Sequence, residues 1–129
     1  MGFCDPGLSA SHRVTVTEND TAIAMGSGDV PVLATPRVLA LAESTCVAAV
    51  AGDVPEGKTT VGAYAEVEHM LPSPVGSQVE VEATLIGHHG RRLEFNVTFR
   101  QNGEPVATVQ HRRVVVDREY FLGKLPAAS

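Results

Sequence analysis

Three residues of this 129-residue chain carry side chains suited to acid, base or nucleophilic work in surroundings that would tune them: Thr35, Glu43 and His69. Glu43 lies in a mainly apolar helical stretch. Burial there would raise its pKa and leave a poised carboxylate, as general-base or nucleophilic chemistry requires. The same position also suits a half-exposed glutamate that merely faces a sheet. His69 alternates with Val67 and Leu71 at a strand end, so its ring shares a face with apolar neighbours. Alone it reads as a structural histidine, and a nearby carboxylate would make it a proton carrier. Thr35 precedes Pro36, the arrangement of a helix N-cap followed by a first-turn proline, and capping by itself accounts for its hydroxyl. The amides of that first turn carry partial positive charge and can stabilise an oxyanion. Pro36 removes one donor, leaving those of Arg37 and Val38.

Other chemistry is weaker or excluded. His88 and His89 are adjacent in a turn and find no third ligand at useful spacing, so no metal is expected. Gly90-Arg91-Arg92 puts two guanidinium groups at a hairpin tip, where they would pair with phosphates or simply be solvated. In Gln110-His111-Arg112-Arg113 alternate side chains face opposite ways, so the run is not one patch. There is no Gly-rich phosphate loop, no Gly-x-Ser-x-Gly elbow and no zinc-type cysteine pair, and Cys4 and Cys46 read as free thiols. Fifteen acidic residues against ten basic give a net charge of −5, the wrong sign for a protein that works mainly on nucleic acid. An anionic ligand would need a local basic patch. No apolar run approaches the roughly 20 residues that span a bilayer, and Cys4, Asp5 and Pro6 stand where a signal peptide would be apolar, so a cytoplasmic protein without a membrane partner is expected.

The elements that must hold these residues are read from periodicity. Apolar and polar residues alternate in His12 to Thr17 and in Asp20 to Met25, which predicts two short strands around Glu18-Asn19-Asp20. A helix follows from Thr35 to about Ala51, with Val38, Leu41, Ala42, Thr45, Cys46 and Ala49 on one face and Gly52 as its stop. Leu39, Val47 and Val50 lie off that face, so the helix is expected to be buried on most sides. Four long strands come next, Thr59 to Glu68, Gln78 to Ile86, Arg92 to Arg100 and Val106 to Val116. Gly87-His88-His89-Gly90 and Asn102-Gly103 are expected to be hairpin turns. One curved antiparallel sheet of six strands wrapped around one long central helix is the natural α+β solution, the hotdog fold, with cystatin-like folds sharing the ingredients. A single domain over residues 1–129 is expected, with loosely ordered tails at 1–11 and 118–129. An otherwise exposed sheet edge and a partly covered sheet predict a homodimer.

The run from Ala34 to Cys46 resembles the helix of hotdog acyl-CoA thioesterases of the fluoroacetyl-CoA type. The likeness continues through Thr60-Val61-Gly62, His69, Pro74-Val75-Gly76, Gly90-Arg91-Arg92-Leu93 and His111-Arg112. The family's Thr, Glu and His recur here at the same spacings, as Thr35, Glu43 and His69. The resemblance implies hydrolysis of an acyl-CoA thioester by these three residues without metal or cofactor, in a homodimer with pockets at the subunit interface. It also implies that the Gly62 backbone lies beside the thioester. Two departures stand out: Pro36 replaces the family's Gly after the Thr, and Met25 to Leu33 lacks the aromatic lid. An acyl-ligand-binding protein without catalysis and an acyl-CoA hydratase or dehydratase remain alternatives on the same fold.

Overall fold

In the computed structural model, which describes residues 4–128, the sheet forms because five stretches alternate an apolar face with a polar one. They are β1 (Ser9–Thr15), β2 (Lys58–His69), β3 (Gln78–His89), β4 (Arg92–Gln101) and β5 (Glu104–Asp117), paired antiparallel throughout in the order β1-β3-β4-β5-β2. The inward positions of β3 and β4 are Val79, Val81, Ala83 and Leu85, and Leu93, Phe95, Val97 and Phe99, all buried. The helix α2 (Thr35–Val50) lies across this face, and its six expected inward residues, Val38, Leu41, Ala42, Thr45, Cys46 and Ala49, are all buried. Truncating Phe95 or Phe99 to Ala would cost about 3–5 kcal/mol, the usual result for a large side chain in such a core.

Asn102 and Gly103 both have positive φ, as a two-residue hairpin needs. The β3–β4 turn is tighter than expected: the strand runs on to His89, leaving Gly90 and Arg91 as its two residues. The expected strand at Asp20–Met25 is instead a 3-10 turn (Glu18–Asp20) followed by a short helix α1 (Ala22–Met25), so the sheet has five strands and not six. Local capping decides this. Asp20 accepts from the Thr17 amide and hydroxyl, the Thr21 hydroxyl accepts from the Ala24 amide, and two alanines favour helix. The stretches expected as loose tails contain ordered pieces. β1 begins at Ser9 and pairs with β3, the Cys4 side chain is buried, and α3 (Arg118–Gly123) is capped by Asp117.

Candidate active site

α2 begins one residue earlier than the sequence suggests. Ala34 is the cap, Thr35 is the first helical residue and Pro36 the second, and no side chain caps this end. The Thr35 hydroxyl is thereby released from capping and lies 2.8 Å from His69 Nδ1 at the end of β2. Burial lowers the His69 pKa below the ordinary 6.5, so the ring is neutral at pH 7. A hydroxyl that donates to Nδ1 leaves the ring proton on Nε2, and that atom is buried without a partner.

The amides of Arg37 and Val38, expected to be free, both donate to the Ala34 carbonyl at 3.0 Å. With Pro36 lacking an N–H, the unspent donor of this helix end is that of Thr35 itself. The Arg37 guanidinium is spent on Asp20, Nε to Oδ1 at 2.8 Å. Burial would raise the Asp20 pKa, but hydrogen bonds from Thr17 and Arg37 outweigh it and the net shift is downward. Asp20 also accepts the Ala34 amide on its backbone carbonyl, so it ties down the approach to Thr35.

Beside Thr35 and His69 is a cleft of ≈ 350 Å³. Its walls are apolar for the most part, with Val30, Val32, Leu33, Met70 and Leu71 among them, and no Phe, Tyr or Trp lines it.

Glu43 stands elsewhere. Eight residues along α2 from Thr35, it is about 12 Å away along the axis at 1.5 Å per residue. Of the two expectations for its side chain, the half-exposed glutamate facing a sheet is the one found: it is 41% exposed, with Oε2 3.4 Å from Arg113 Nη1 and 3.7 Å from His111 Nε2. Gly62 faces it so closely that a Cβ there would lie 2.6 Å from Oε2. A bulge between Gly62 and Tyr64 marks the same point of β2.

Behind Glu43 lies a buried polar cluster that motif reasoning missed. Arg113 donates from Nε to the Thr60 hydroxyl (2.9 Å) and from Nη2 to the Thr60 carbonyl (3.0 Å). His111 Nδ1 donates to the Tyr64 carbonyl (2.7 Å), so its Nε2 is free to accept from Arg113 Nη1 (3.1 Å). Burial and the adjacent guanidinium hold the His111 pKa down against the opposing pull of Tyr64 and Glu43. The signal was present in the alternation Val109, His111, Arg113, Val115, which puts a histidine and an arginine on the apolar face of β5. Cys46, in the core beneath, has its thiol pushed up to about 12, chiefly by burial, and is no nucleophile.

The candidate phosphate ligands separate. Arg91 lines a cleft with Lys58 and Lys124, whereas Arg92 leans on Glu94, Nε to Oε2 at 3.9 Å. Among the described residues no three His, Cys, Asp or Glu side chains gather as a metal site requires, and no helix is long and apolar enough to cross a membrane.

A family model described as fluoroacetyl-CoA-specific thioesterase, FlK, matches residues 16–119. The chain belongs to this family. A solved structure of the fluoroacetyl-CoA thioesterase FlK is 27% identical, covers 95% of this chain and 98% of its own, and superposes with a TM-score of 0.85. A variant of that enzyme in complex with fluoroacetate and CoA is 28% identical over 91% of this chain and 98% of its own, with a TM-score of 0.83. A hot-dog-like protein from Thermanaerovibrio acidaminovorans, 22% identical over 95% of this chain and 94% of its own, shares the fold at a TM-score of 0.83. Curated protein sequences give no match. The fold is therefore the expected hotdog, and its family members are thioesterases.

Proposed function

We propose that the protein hydrolyses a small acyl-CoA thioester to the free acid and CoA, each site combining Thr35 and His69 of one protomer with Glu43 and Gly62 of its partner. The observation that carries this is the 2.8 Å pair of Thr35 and His69, with His69 Nε2 left unpartnered. Such a pair can serve a reaction, but the carboxylate it needs is too far along the same helix. A two-fold axis supplies one. β2 is an edge strand whose residues 62–66 are all exposed, and α2 turns the 42%-exposed Val47 outward. Both features are liabilities in a monomer and ordinary in a dimer with a continuous sheet. If the axis passes through Glu66, antiparallel pairing sets Gly62 opposite the partner's His69, the bulge between Gly62 and Tyr64 supplying the extra residue.

In this arrangement Glu43 takes a proton from water as the water oxygen bonds to the thioester carbon. The Thr35 N–H and the positive end of α2 steady the oxyanion. When the C–S bond breaks, the proton taken by Glu43 is passed to sulfur through the hydrogen bond of His69 Nε2–H, so CoA departs as a thiol and the carboxylate is restored. Arg113, itself fixed by Thr60, holds the carboxylate in place.

Mixing two inactive variants tests both chemistry and assembly. Thr35→Ala and Glu43→Gln should each lose orders of magnitude in release of CoA thiol. Co-refolded in equal amounts they should recover about a quarter of wild-type activity, because half the dimers are mixed and each then holds one intact site. No recovery would place the whole site within one chain. An enoyl-CoA control separates hydration, which leaves the thioester intact, from hydrolysis. Stabilisation by acyl-CoA without any turnover would instead favour a binding protein.

A further inference from the structure

We propose that the cleft between the start of β2, the β3–β4 hairpin and α3 binds the phosphorylated nucleotide end of the substrate, with Lys58, Arg91 and Lys124 as its phosphate ligands. The assignment of CoA as occupant rests on the thioesterase reading. Four observations lead to it.

The first is charge. In a chain of net charge −5, these three cations converge on one cleft of ≈ 400 Å³, whose one lining carboxylate, Asp117, accepts the Tyr120 amide as the cap of α3. All three are exposed, and among the described residues none has a carboxylate within ion-pair distance. By contrast Arg13, Arg37, Arg92, Arg112 and Arg113 all pair with acids. The second is the company they keep. Tyr120 and Phe121 line the same cleft, Tyr120 is 68% exposed, and Lys124 Nζ already sits 5.4 Å from its ring centroid. Exposed rings beside unpaired cations suit a purine base carrying phosphates.

The third is position. The register pairs Gly62 with Arg113, Thr60 with Val115 and Lys58 with Asp117, so Lys58 lies on the same inward row as Gly62, two inward positions further on. Four residue steps along the strand separate them, roughly 13 Å. A pantetheine arm from sulfur to phosphate has about as many bonds as four residues of extended peptide and reaches a similar distance. A thioester held at Gly62 thus delivers its pyrophosphate near Lys58. The fourth is rigidity. The Arg91 carbonyl accepts from Val115 N–H (2.8 Å) and Arg118 N–H donates to the Gly57 carbonyl (2.9 Å), so the hairpin and α3 are both fastened to the strands they flank.

The test is calorimetric titration of the full chain with CoA and with adenosine 3′,5′-bisphosphate, which is the nucleotide end without the arm. Wild type should bind both. Lys58→Ala/Arg91→Ala/Lys124→Ala should weaken each by about tenfold or more, the sum expected of three exposed charge contacts, with the deficit shrinking as salt is raised. Arg91→Ala alone should show the same trend in part, in case the triple variant folds poorly. The ratio of specificity constants for an acyl-CoA over the matching S-acyl-pantetheine should fall toward one. The proposal is overturned if wild type does not bind the bisphosphate, if the triple variant binds CoA normally, if Arg92→Ala weakens CoA as much as Arg91→Ala, or if both thioesters lose turnover equally. A wild type that binds CoA through these residues yet hydrolyses no thioester would sink the catalytic reading and leave this one standing.

Discussion

Replacing Gly62 by alanine separates a fold from its chemistry. The new Cβ would sit 2.6 Å from Glu43 Oε2, whereas ordinary contact begins near 3.4 Å, so the carboxylate oxygen must retreat by about 0.8 Å. What blocks the methyl is the far end of a flexible side chain. The other near atoms, Arg113 Nη1 and His111 Cε1, are at 3.4 Å and need hardly move. The strand gains a residue with less backbone freedom to lose, worth about 0.5–1 kcal/mol, which offsets the rearrangement. Thermal unfolding should therefore stay within a few degrees of wild type. Catalysis should not be spared, because displacing a reacting group by about 1 Å costs on the order of a hundredfold. The assay is release of CoA thiol from a short acyl-CoA, with stability followed in parallel. In a Glu43→Gln background the same substitution should cost little, since the group it displaces no longer reacts. Normal turnover in Gly62→Ala, or an equal loss in both backgrounds, would refute the claim that Gly62 acts by making room for Glu43.

Removing the buried guanidinium with Arg113→Met should leave Thr60, His111 and Glu43 short of a donor and destabilise the fold by roughly 2 kcal/mol; the Glu43 contact is discounted because that side chain is partly exposed. Its turnover should fall further than that of Arg113→Lys, which keeps one donor toward Glu43. His69 and His111 both have pKa values lowered by burial, so the unfolded chain binds more protons than the native one below the ordinary value of 6.5. Stability should rise with pH up to about that value and fall on acidification, and His69→Gln should flatten the slope of melting temperature against pH; a slope of opposite sign would contradict neutral native rings. A cleft without an aromatic cover has little means to amplify the difference between hydrogen and fluorine. After correction for intrinsic ester reactivity, fluoroacetyl-CoA should not be preferred over acetyl-CoA by more than about a thousandfold, or about 4 kcal/mol, and longer or branched acyl groups should be accepted.

What could be read from the residues follows from how local each determinant is. All six inward positions of α2 and the Asn102-Gly103 turn were legible, because helical period and positive-φ turn chemistry are written within a few residues. The stretch after Asp20 alternates like a strand yet is helical, since side-chain caps from Thr17, Asp20 and Thr21 outweigh a weak period-two pattern. The residues themselves nominated Thr35, Glu43 and His69 only one by one, and the family resemblance grouped them; neither gave the contact of Thr35 with His69. That depends on a one-residue shift of the helix start, which exchanges a capping hydroxyl for one that meets His69. Sequence left open whether Glu43 is buried or half-exposed against the sheet, because its partners, His111 and Arg113, come from a strand some 70 residues away, and nothing near Glu43 announces them.

The order of the strands also bears on how the site comes into being. β3, β4 and β5 form successive hairpins whose partners are near in sequence, while β2 is held to the sheet by β5 alone, through pairs as distant as Lys58 and Asp117. During synthesis β2 emerges well before the strand it needs. Lys58, Thr60, Gly62 and His69 therefore cannot take their places until nearly the whole chain has been made and the long loop between β2 and β5 closed. Until a partner's β2 pairs with it, this strand is an edge and the first free to loosen, so exchange of its amides should report assembly of the proposed site before any change reaches the core.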